Sequence, residues 1–194
     1  MIAFVTGKFV YKTPAVVHVD VNGVGYEVQI SLNTYSKIQS LERGSLFTWL
    51  HIKEDAHTLY GFSDMAEKNI FTQLISVNGI GTSTARMMLS AMQPQELTQA
   101  IVRGDTGQLE KIKGIGKKSA ERIVLELRDK INKHGVDTPG SALISNSLEQ
   151  DALNALVALG IARNTAENAI KKITASAPPS ENLEILIKKA LQFI

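Results

Sequence analysis

Two short glycine-centred segments carry the residues whose types and spacing could bind a ligand. Gly79-Ile80-Gly81 and Gly114-Ile115-Gly116 lie 35 residues apart, each at the end of an apolar helical pattern. Two polar residues follow each segment, Thr82-Ser83 in the first and Lys117-Lys118 in the second, and then Ser or Thr with Ala opens a new helix. This repeated order is typical of the helix–hairpin–helix motif.

The chemistry that this pattern predicts is the binding of phosphate by backbone amides. Glycine adopts conformations closed to residues with a Cβ and lets a ligand approach the main chain. The first N–H groups of a helix lack intrahelical partners and lie at the positive end of its dipole, which favours anions. Such contacts hold DNA wherever phosphate occurs and read no base sequence. Ile80 and Ile115 are expected to pack between the helices. The predicted phosphate-binding residues are Gly79, Gly81, Thr82, Ser83, Gly114, Gly116, Lys117, Lys118 and Arg122.

The residue content argues against several other chemistries. The chain has no cysteine, which excludes disulfides, thiolate metal sites and cysteine nucleophiles. The segment from Gly114 to Ser119 is not a P-loop, because Lys111 stands where a Gly is needed and Lys118 where Ser or Thr is needed. We therefore predict no ATPase activity, no catalytic residues, no metal and no cofactor.

Two alternatives to a structural DNA-binding protein stay open at this point. Base-excision glycosylases also use a helix–hairpin–helix, with a catalytic Lys or Asp nearby, and Lys117, Lys118 and Asp129 are the candidates here. The helical segment is short for the base pocket that such an enzyme needs. A protein-interaction adaptor without DNA binding is the third hypothesis, and the repeated hairpin argues against it.

The elements that must position these hairpins predict an α+β multidomain fold. Residues 1–63 alternate β-branched and polar residues in five short strands, with Asn22-Gly23 as a hairpin turn, and favour an OB-like β-barrel. Residues 64–134 predict an all-α tandem helix–hairpin–helix domain. Residues 135–146 combine Gly, Pro and Ser and predict a flexible linker. Residues 147–194 predict a three-helix bundle, with Ser147 and Ser180 as N-caps and Gly160 as a helix stop.

Charge and hydropathy agree with a soluble DNA-binding protein. The net charge is +2, and residues 64–134 hold eleven basic and eight acidic residues while the other segments are neutral or acidic. A polyanion is therefore expected to meet the middle segment. No apolar stretch is long enough to span a bilayer and the first residues lack a signal-peptide pattern, so we expect no membrane association and a cytoplasmic location.

Several motifs together resemble the RuvA family of Holliday-junction-binding proteins along the whole chain. They are Gly23-Val24-Gly25-Tyr26-Glu27-Val28, Glu54-Asp55-Ala56 with Leu59-Tyr60-Gly61-Phe62, Gly114 to Arg122 around the second hairpin, and Ala155-Leu156-Val157-Ala158-Leu159-Gly160. The resemblance implies a homotetramer formed through the barrel, with one or two tetramers holding a four-way junction open. It also implies the ATP-driven RuvB motor and the RuvC resolvase as partners, in branch migration during recombination and repair.

The resemblance also implies roles for particular residues. Glu54 and Asp55 correspond to an acidic pin at the centre of the tetramer, where carboxylates repel phosphates and help to keep the junction open. Leu156, Leu159, Ile161 and Leu191 are candidates for motor binding, with at least half of them expected in the bundle core. The first hairpin departs from the family, because many relatives carry Pro-Lys where Thr82-Ser83 stand here. One local cation is therefore missing from that hairpin.

Overall fold

A computed structural model describes residues 1–133, 144–176 and 182–193. The chain divides into two compact units, Met1–Val136 and Asp137–Ile194. Five strands form a closed barrel in the order β1-β2-β3-β5-β4, as the strand pattern predicts. They are β1 (Phe4–Lys12), β2 (Val16–Val21), β3 (Val24–Ile30), β4 (Arg43–Ile52) and β5 (His57–Phe62).

Alternation of side chains along the strands gives the barrel its core. Val5 and Phe9 of β1 and Val17 and Val19 of β2 point inward, while their neighbours are more exposed. Each such side chain contributes roughly 1.5–3 kcal/mol when fully buried. The turn at Asn22 and Gly23 has φ angles of 52° and 90°, which confirms the predicted tight hairpin because both central residues need positive φ.

One helix of the barrel was not predicted. The helix α1 (Leu32–Ile38) connects β3 to β4, and the Ser31 side chain caps it by accepting a hydrogen bond from the Thr34 amide. Its seven residues include Asn33, Thr34 and Ser36, which have low helix propensity. The segment is also too short to show an amphipathic pattern in the sequence. Tertiary contacts rather than local preference therefore stabilise this element.

Five helices follow the barrel, as predicted, and share a core with its end. They are α2 (Met65–Ile75), α3 (Thr82–Ala91), α4 (Pro94–Arg103), α5 (Thr106–Glu110) and α6 (Lys117–Lys133). Phe71 of α2 packs against Tyr60 and Phe62 of β5, with ring centroids 5.2 and 4.9 Å apart. Barrel and helices consequently form one compact unit with a continuous apolar contact between them.

The second unit is a bundle of three helices, α7 (Ile144–Ala158), α8 (Arg163–Ser176) and α9 (Leu183–Gln192). The prediction that Ser147 caps the first of them is wrong, because α7 begins at Ile144 and includes the last three residues of the predicted linker. Asn182 caps α9 in place of the predicted Ser180, which lies outside the described residues, as does the rest of the predicted linker up to residue 143. Gly160 ends α7 with a φ of 92°, as predicted. Among the described helices, none is both long and apolar enough to cross a membrane.

Candidate nucleic-acid interface

The sequence repeat is also a structural repeat. Within the first hairpin three backbone N–H groups donate to carbonyls, and the same three bonds recur 35 residues later at matching lengths. The first set is Val77 N to Leu74 O (3.1 Å), Ile80 N to Val77 O (3.1 Å) and Ala85 N to Gly81 O (2.9 Å); the second is Ile112 N to Leu109 O (3.1 Å), Ile115 N to Ile112 O (3.0 Å) and Ala120 N to Gly116 O (3.0 Å). Ile80 and Ile115 are both buried in the helical core, as predicted. The two copies therefore present equivalent turns.

The two glycines of each hairpin serve different purposes. Gly79 and Gly114 have φ angles of 88° and 89°, a region that side chains with a Cβ rarely adopt, so the turn itself requires them. Gly81 and Gly116 have no positive φ, and a Cβ added to either would meet no heavy atom within 4 Å. The fold does not need glycine at these two exposed positions. What glycine provides there is an unobstructed approach to the main chain.

The helices that follow the hairpins begin without a side-chain cap. Gly81 is the N-cap of α3, with φ −84° and ψ 171°, and makes no capping hydrogen bond, while Gly116 has no side chain to offer to α6. By contrast, the oxygens of Ser31, Asp64 and Asp105 accept first-turn amides of α1, α2 and α5 at 2.9–3.1 Å. The first N–H groups of α3 and α6 are thus left for an external acceptor.

The charged residues of the second hairpin lie at the surface. Lys117 and Lys118, in the first turn of α6, are both exposed, and none of the ion pairs in the described ranges involves them. Lys111 and Lys113 on the preceding turn are also exposed. The second hairpin therefore combines open amides with a cluster of positive charge, which a phosphate backbone attracts.

The first hairpin has its polar groups engaged with the rest of the unit. The Tyr60 hydroxyl donates to Thr82 Oγ1 at 3.0 Å, so the barrel orients this hydroxyl, whereas Ser83 is exposed. Arg86 Nη1 donates to Gln29 Oε1 at 2.5 Å and to the Ala15 carbonyl at 3.2 Å. The Arg86 side chain is therefore bound to the barrel and does not take the place of the lysine that is missing after the first Gly-Ile-Gly turn.

Arg122 lies where sequence reasoning did not place it. Its side chain extends from α6 of the second hairpin to the turn of the first, where Nη1 donates to the Asn78 carbonyl at 3.1 Å. The same nitrogen is 3.6 Å from the position that a Cβ on Gly79 would occupy. The two hairpins are therefore joined by a side chain as well as by their common core.

A second link between barrel and first hairpin was missed by sequence reasoning. Asn33 of α1 donates through Nδ2 to the carbonyls of Leu89 and Met92 at 2.5 and 2.8 Å, and its Oδ1 accepts from Gln93 Nε2 at 2.7 Å. These bonds satisfy carbonyls at the C-terminal end of α3. Because α1 has no sequence signature, the residue types gave no indication of this contact.

A buried carboxylate fixes α2 to the barrel. Glu67 is fully buried and accepts hydrogen bonds from the hydroxyls of Ser31, Thr34 (2.6 Å) and Ser63 (3.3 Å). A buried carboxylate is tolerated only when its acceptors are satisfied, and three hydroxyls supply that need here. Sequence reasoning did not single out this residue, since its partners come from distant segments.

The N-cap of α2 is a charged pair next to this network. Asp64 accepts from the Glu67 amide at 2.9 Å and from Lys37 Nζ at 2.6 Å. Partial burial by itself would raise the pKa of the Asp64 carboxyl, but the bond from Lys37, the Glu67 amide and the Lys37 charge together hold the pKa below its ordinary value of 3.8. The ionised carboxylate is thus the form that the fold stabilises.

The predicted acidic pin lies at the tip of the β4–β5 hairpin. Glu54 and Asp55 are exposed in a loop closed by a bond from the Lys53 amide to the Ala56 carbonyl (2.9 Å), directly beyond the Ile52–His57 pair. Neither takes part in an ion pair within the described part of the chain. Over the same residues no group of three or more acidic or histidine side chains could hold a metal ion.

The four candidates for motor binding do not share one environment. Leu156 is fully buried in the bundle core, so the prediction that its side chain contacts a partner at the surface is wrong. Leu159 is 64% and Leu191 45% exposed, and Ile161 is half-buried. Val157, Ile185 and Phe193 are further large apolar residues that lie exposed in the described part of the bundle.

The residues named for a glycosylase do not form a pocket. Asp129 lines an open surface depression with Thr106, Val124 and Leu125, and neither Lys117 nor Lys118 takes part in it. A base-flipping enzyme needs an enclosed pocket around the extruded base. The arrangement of these three residues gives the enzyme hypothesis no support.

Comparison with known proteins covers the whole chain. Residues 1–61 match the family described as RuvA N terminal domain, residues 71–129 the SAM-like Helix-hairpin-helix tandem, and residues 147–194 the family described as RuvA, C-terminal domain. A protein of Cytophaga hutchinsonii is 46% identical over 197 residues, covering 99% of both chains. Proteins of Flavobacterium psychrophilum and Bordetella pertussis are 46% and 42% identical, covering 97–99% of each chain. All three are named Holliday junction branch migration complex subunit RuvA.

Proposed function

The chain belongs to the RuvA family, and we propose that it is the junction-binding, non-catalytic subunit of a Holliday junction branch migration complex. The proposal rests on one observation: the helices α3 and α6 each follow an exposed glycine and begin without a side-chain cap. Gly81 and Gly116 are glycines that the fold itself does not require, and they expose first-turn amides that no side chain caps. The glycosylase alternative is not favoured, because full-length relatives carry a different function in their names.

Each hairpin binds one stretch of sugar–phosphate backbone. The amides ahead of α3 and α6 donate to phosphate oxygens, and these bonds to a charged acceptor are stronger than neutral ones. Lys117 and Lys118 add attraction at the second hairpin. Because phosphates are the same at every base pair, the subunit recognises the shape of the DNA and not its sequence.

Junction specificity requires several subunits around one crossover. We propose a homotetramer assembled through the barrel, which places four acidic loops at the centre and eight hairpins on the arms. Glu54 and Asp55 at the exposed loop tip then lie where strands exchange, and their charge repels phosphates and holds the four arms apart. A second tetramer on the opposite face of the junction is compatible with this arrangement.

The bundle serves as the docking site for the ATP-driven RuvB motor. Leu159 and Leu191 are large apolar side chains left at the surface, with Ile161 partly exposed beside the glycine that ends α7. Leu156 supports this surface from the core. The RuvC resolvase is the further partner that the family assignment suggests, acting on the junction held by the tetramer.

Competition binding tests the proposal. A labelled four-way junction bound to the full chain is challenged with unlabelled junction or with linear duplex of equal total length, over a range of salt concentrations. We expect a large preference for the junction and a log–log salt slope of about 0.9 per neutralised phosphate. Equal competition by linear duplex would remove the claim of junction specificity. Borohydride trapping on damaged duplex is the control for the enzyme alternative, which a covalent adduct would favour.

A further inference from the structure

The turn of the first hairpin is contacted by a side chain from the second hairpin. Arg122 of α6 donates to the Asn78 carbonyl at 3.1 Å and lies 3.6 Å from the Cβ position of Gly79. The second turn has no counterpart, because a Cβ on Gly114 would meet no heavy atom within 4 Å. The residue equivalent to Arg122 in the first hairpin, 35 positions earlier, is Met87, which cannot donate a hydrogen bond.

The first hairpin depends on amide geometry more than the second does. It has Thr82 and Ser83 where the second has two lysines, and Arg86, the cation of its own helix α3, is hydrogen-bonded to the barrel. A lysine attracts phosphate over a range of positions, whereas an N–H group must point at its acceptor. A hairpin without its own cation therefore binds phosphate only if its amides are held in the right direction.

The bond from Arg122 controls the direction of one such amide. The Asn78 carbonyl and the Gly79 N–H belong to the same peptide plane, and in a trans peptide they point in opposite directions. Holding the carbonyl on the side of Arg122 therefore turns the Gly79 N–H away from it. That N–H has no acceptor within the part of the chain that the structure describes. A charged donor on the carbonyl also polarises the peptide and makes its N–H a stronger donor.

We propose that Arg122 is a positioning residue that aims the Gly79 amide of the first hairpin at a DNA phosphate, so that the two hairpins bind as one unit. This inference rests on the proposed DNA-binding function. It differs from the prediction that Arg122 is itself a phosphate ligand of the second hairpin, because it makes the effect of Arg122 depend on the first hairpin.

A double-mutant cycle separates the two roles. Arg122→Met removes the donor and keeps a side chain that the repeat already places at the equivalent position. Lys118→Met removes one charge from the same helix without touching the turn, and serves as the matched control. Each is combined with Gly81→Asn, which supplies a side-chain acceptor to the first-turn amides of α3, or with Gly116→Asn, which does so for α6. The affinity of the full chain for a synthetic four-way junction is measured for every variant.

We expect Arg122→Met to weaken junction binding about tenfold, the loss of one charge-assisted hydrogen bond. The effect should persist in the Gly116→Asn protein and fall to about twofold in the Gly81→Asn protein, since the first hairpin is already disabled there. Lys118→Met should show the opposite dependence. Equal effects of Arg122→Met in both backgrounds, or a loss confined to the Gly81→Asn background, would overturn the inference.

Hydrogen exchange in the free protein gives an independent readout. Arg122→Met should accelerate amide exchange at residues 78–80 and leave residues 113–115 unchanged, whereas loss of a simple phosphate ligand would alter neither. Unchanged exchange at residues 78–80 would contradict the positioning role. If the unmodified chain shows no preference for the junction over linear duplex, the proposed function fails. If the unmodified chain does prefer the junction but Arg122→Met behaves like Lys118→Met in the double-mutant cycle, only this inference fails.

Discussion

Replacing Gly116 with Asn is expected to weaken DNA binding without weakening the fold. Asn is among the best N-cap residues, and its side-chain oxygen accepts the amides of the second and third helical residues. In this protein those amides belong to Lys118 and Ser119, at the start of α6. The substitution therefore gives an internal acceptor to the same N–H groups that we propose for phosphate.

The size of both effects follows from the surroundings of Gly116. A Cβ there meets no heavy atom within 4 Å and the residue has no positive φ, so Asn fits without strain. The free energy of unfolding should rise by a few tenths of a kcal/mol, the difference between Asn and Gly at an N-cap. Loss of one hydrogen bond to a charged acceptor costs roughly 1.5–3 kcal/mol, which is about 10- to 150-fold in the dissociation constant.

Fluorescence anisotropy with a labelled junction measures the affinity, and thermal unfolding measures the stability of the same preparation. Gly107→Asn is the matched control, since Gly107 is an exposed glycine in α5 that lies outside the two Gly-Ile-Gly turns and is not the N-cap of a helix. Undiminished junction affinity of the Gly116→Asn protein would refute the amide–phosphate contact. A fall in affinity together with a lower unfolding temperature would show that glycine at this position serves the fold instead.

Three further changes test other parts of the structure. Glu67→Ala should lower the free energy of unfolding by about 3 kcal/mol in chemical denaturation, because it leaves buried hydroxyls without an acceptor, whereas Glu67→Gln should cost less. Asp64→Asn should reduce the fall in the free energy of unfolding at acid pH. Because Lys37 helps to hold the pKa of Asp64 below 3.8, the ionised carboxylate stabilises the fold above that pH, and this stabilisation is lost as the pH falls through the lowered pKa. Met87→Arg should tighten junction binding several-fold in the anisotropy assay, because Met87 is the residue of α3 equivalent to Arg122 in the repeat and an arginine there would give the second turn the contact that Arg122 gives the first; unchanged or weaker binding would contradict this equivalence.

The features that the sequence predicted are those that local signals determine. Asn22 and Gly23 identify the hairpin turn because few residues other than these adopt two successive positive φ angles. Gly79 and Gly114 mark the two candidate hairpin turns because each adopts a positive φ angle, and the burial of Ile80 and Ile115 follows from the apolar residue type between the glycines. In each case the constraint lies within a few residues along the chain, so the residue types alone disclose it.

The features that sequence reasoning missed depend on contacts between distant segments. Asn33 reaches Met92 across 59 positions, Thr34 reaches Glu67 across 33, and Arg122 reaches Asn78 across 44. A polar residue has many potential partners at such separations, and its type does not select among them. The misplaced start of α7 has a different, local origin: the capping pattern at Ser147 matches a helix start, although the helix already begins at Ile144.

On the proposed function, these long-range contacts give the two hairpins different ways of binding phosphate. The second hairpin carries Lys117 and Lys118, and charge tolerates variation in the position of the DNA because it acts over about 10 Å at ordinary salt. The first hairpin has no such pair of exposed lysines, but Tyr60 from the barrel and Arg122 from the second hairpin form hydrogen bonds to it. On the proposed function, we therefore expect phosphate binding by the first hairpin to be more directional and less sensitive to salt than binding by the second. On the proposed function, a duplex arm must meet this hairpin at the angle set by the barrel, and this requirement contributes to the selection of junction geometry by an assembly of subunits that reads no bases.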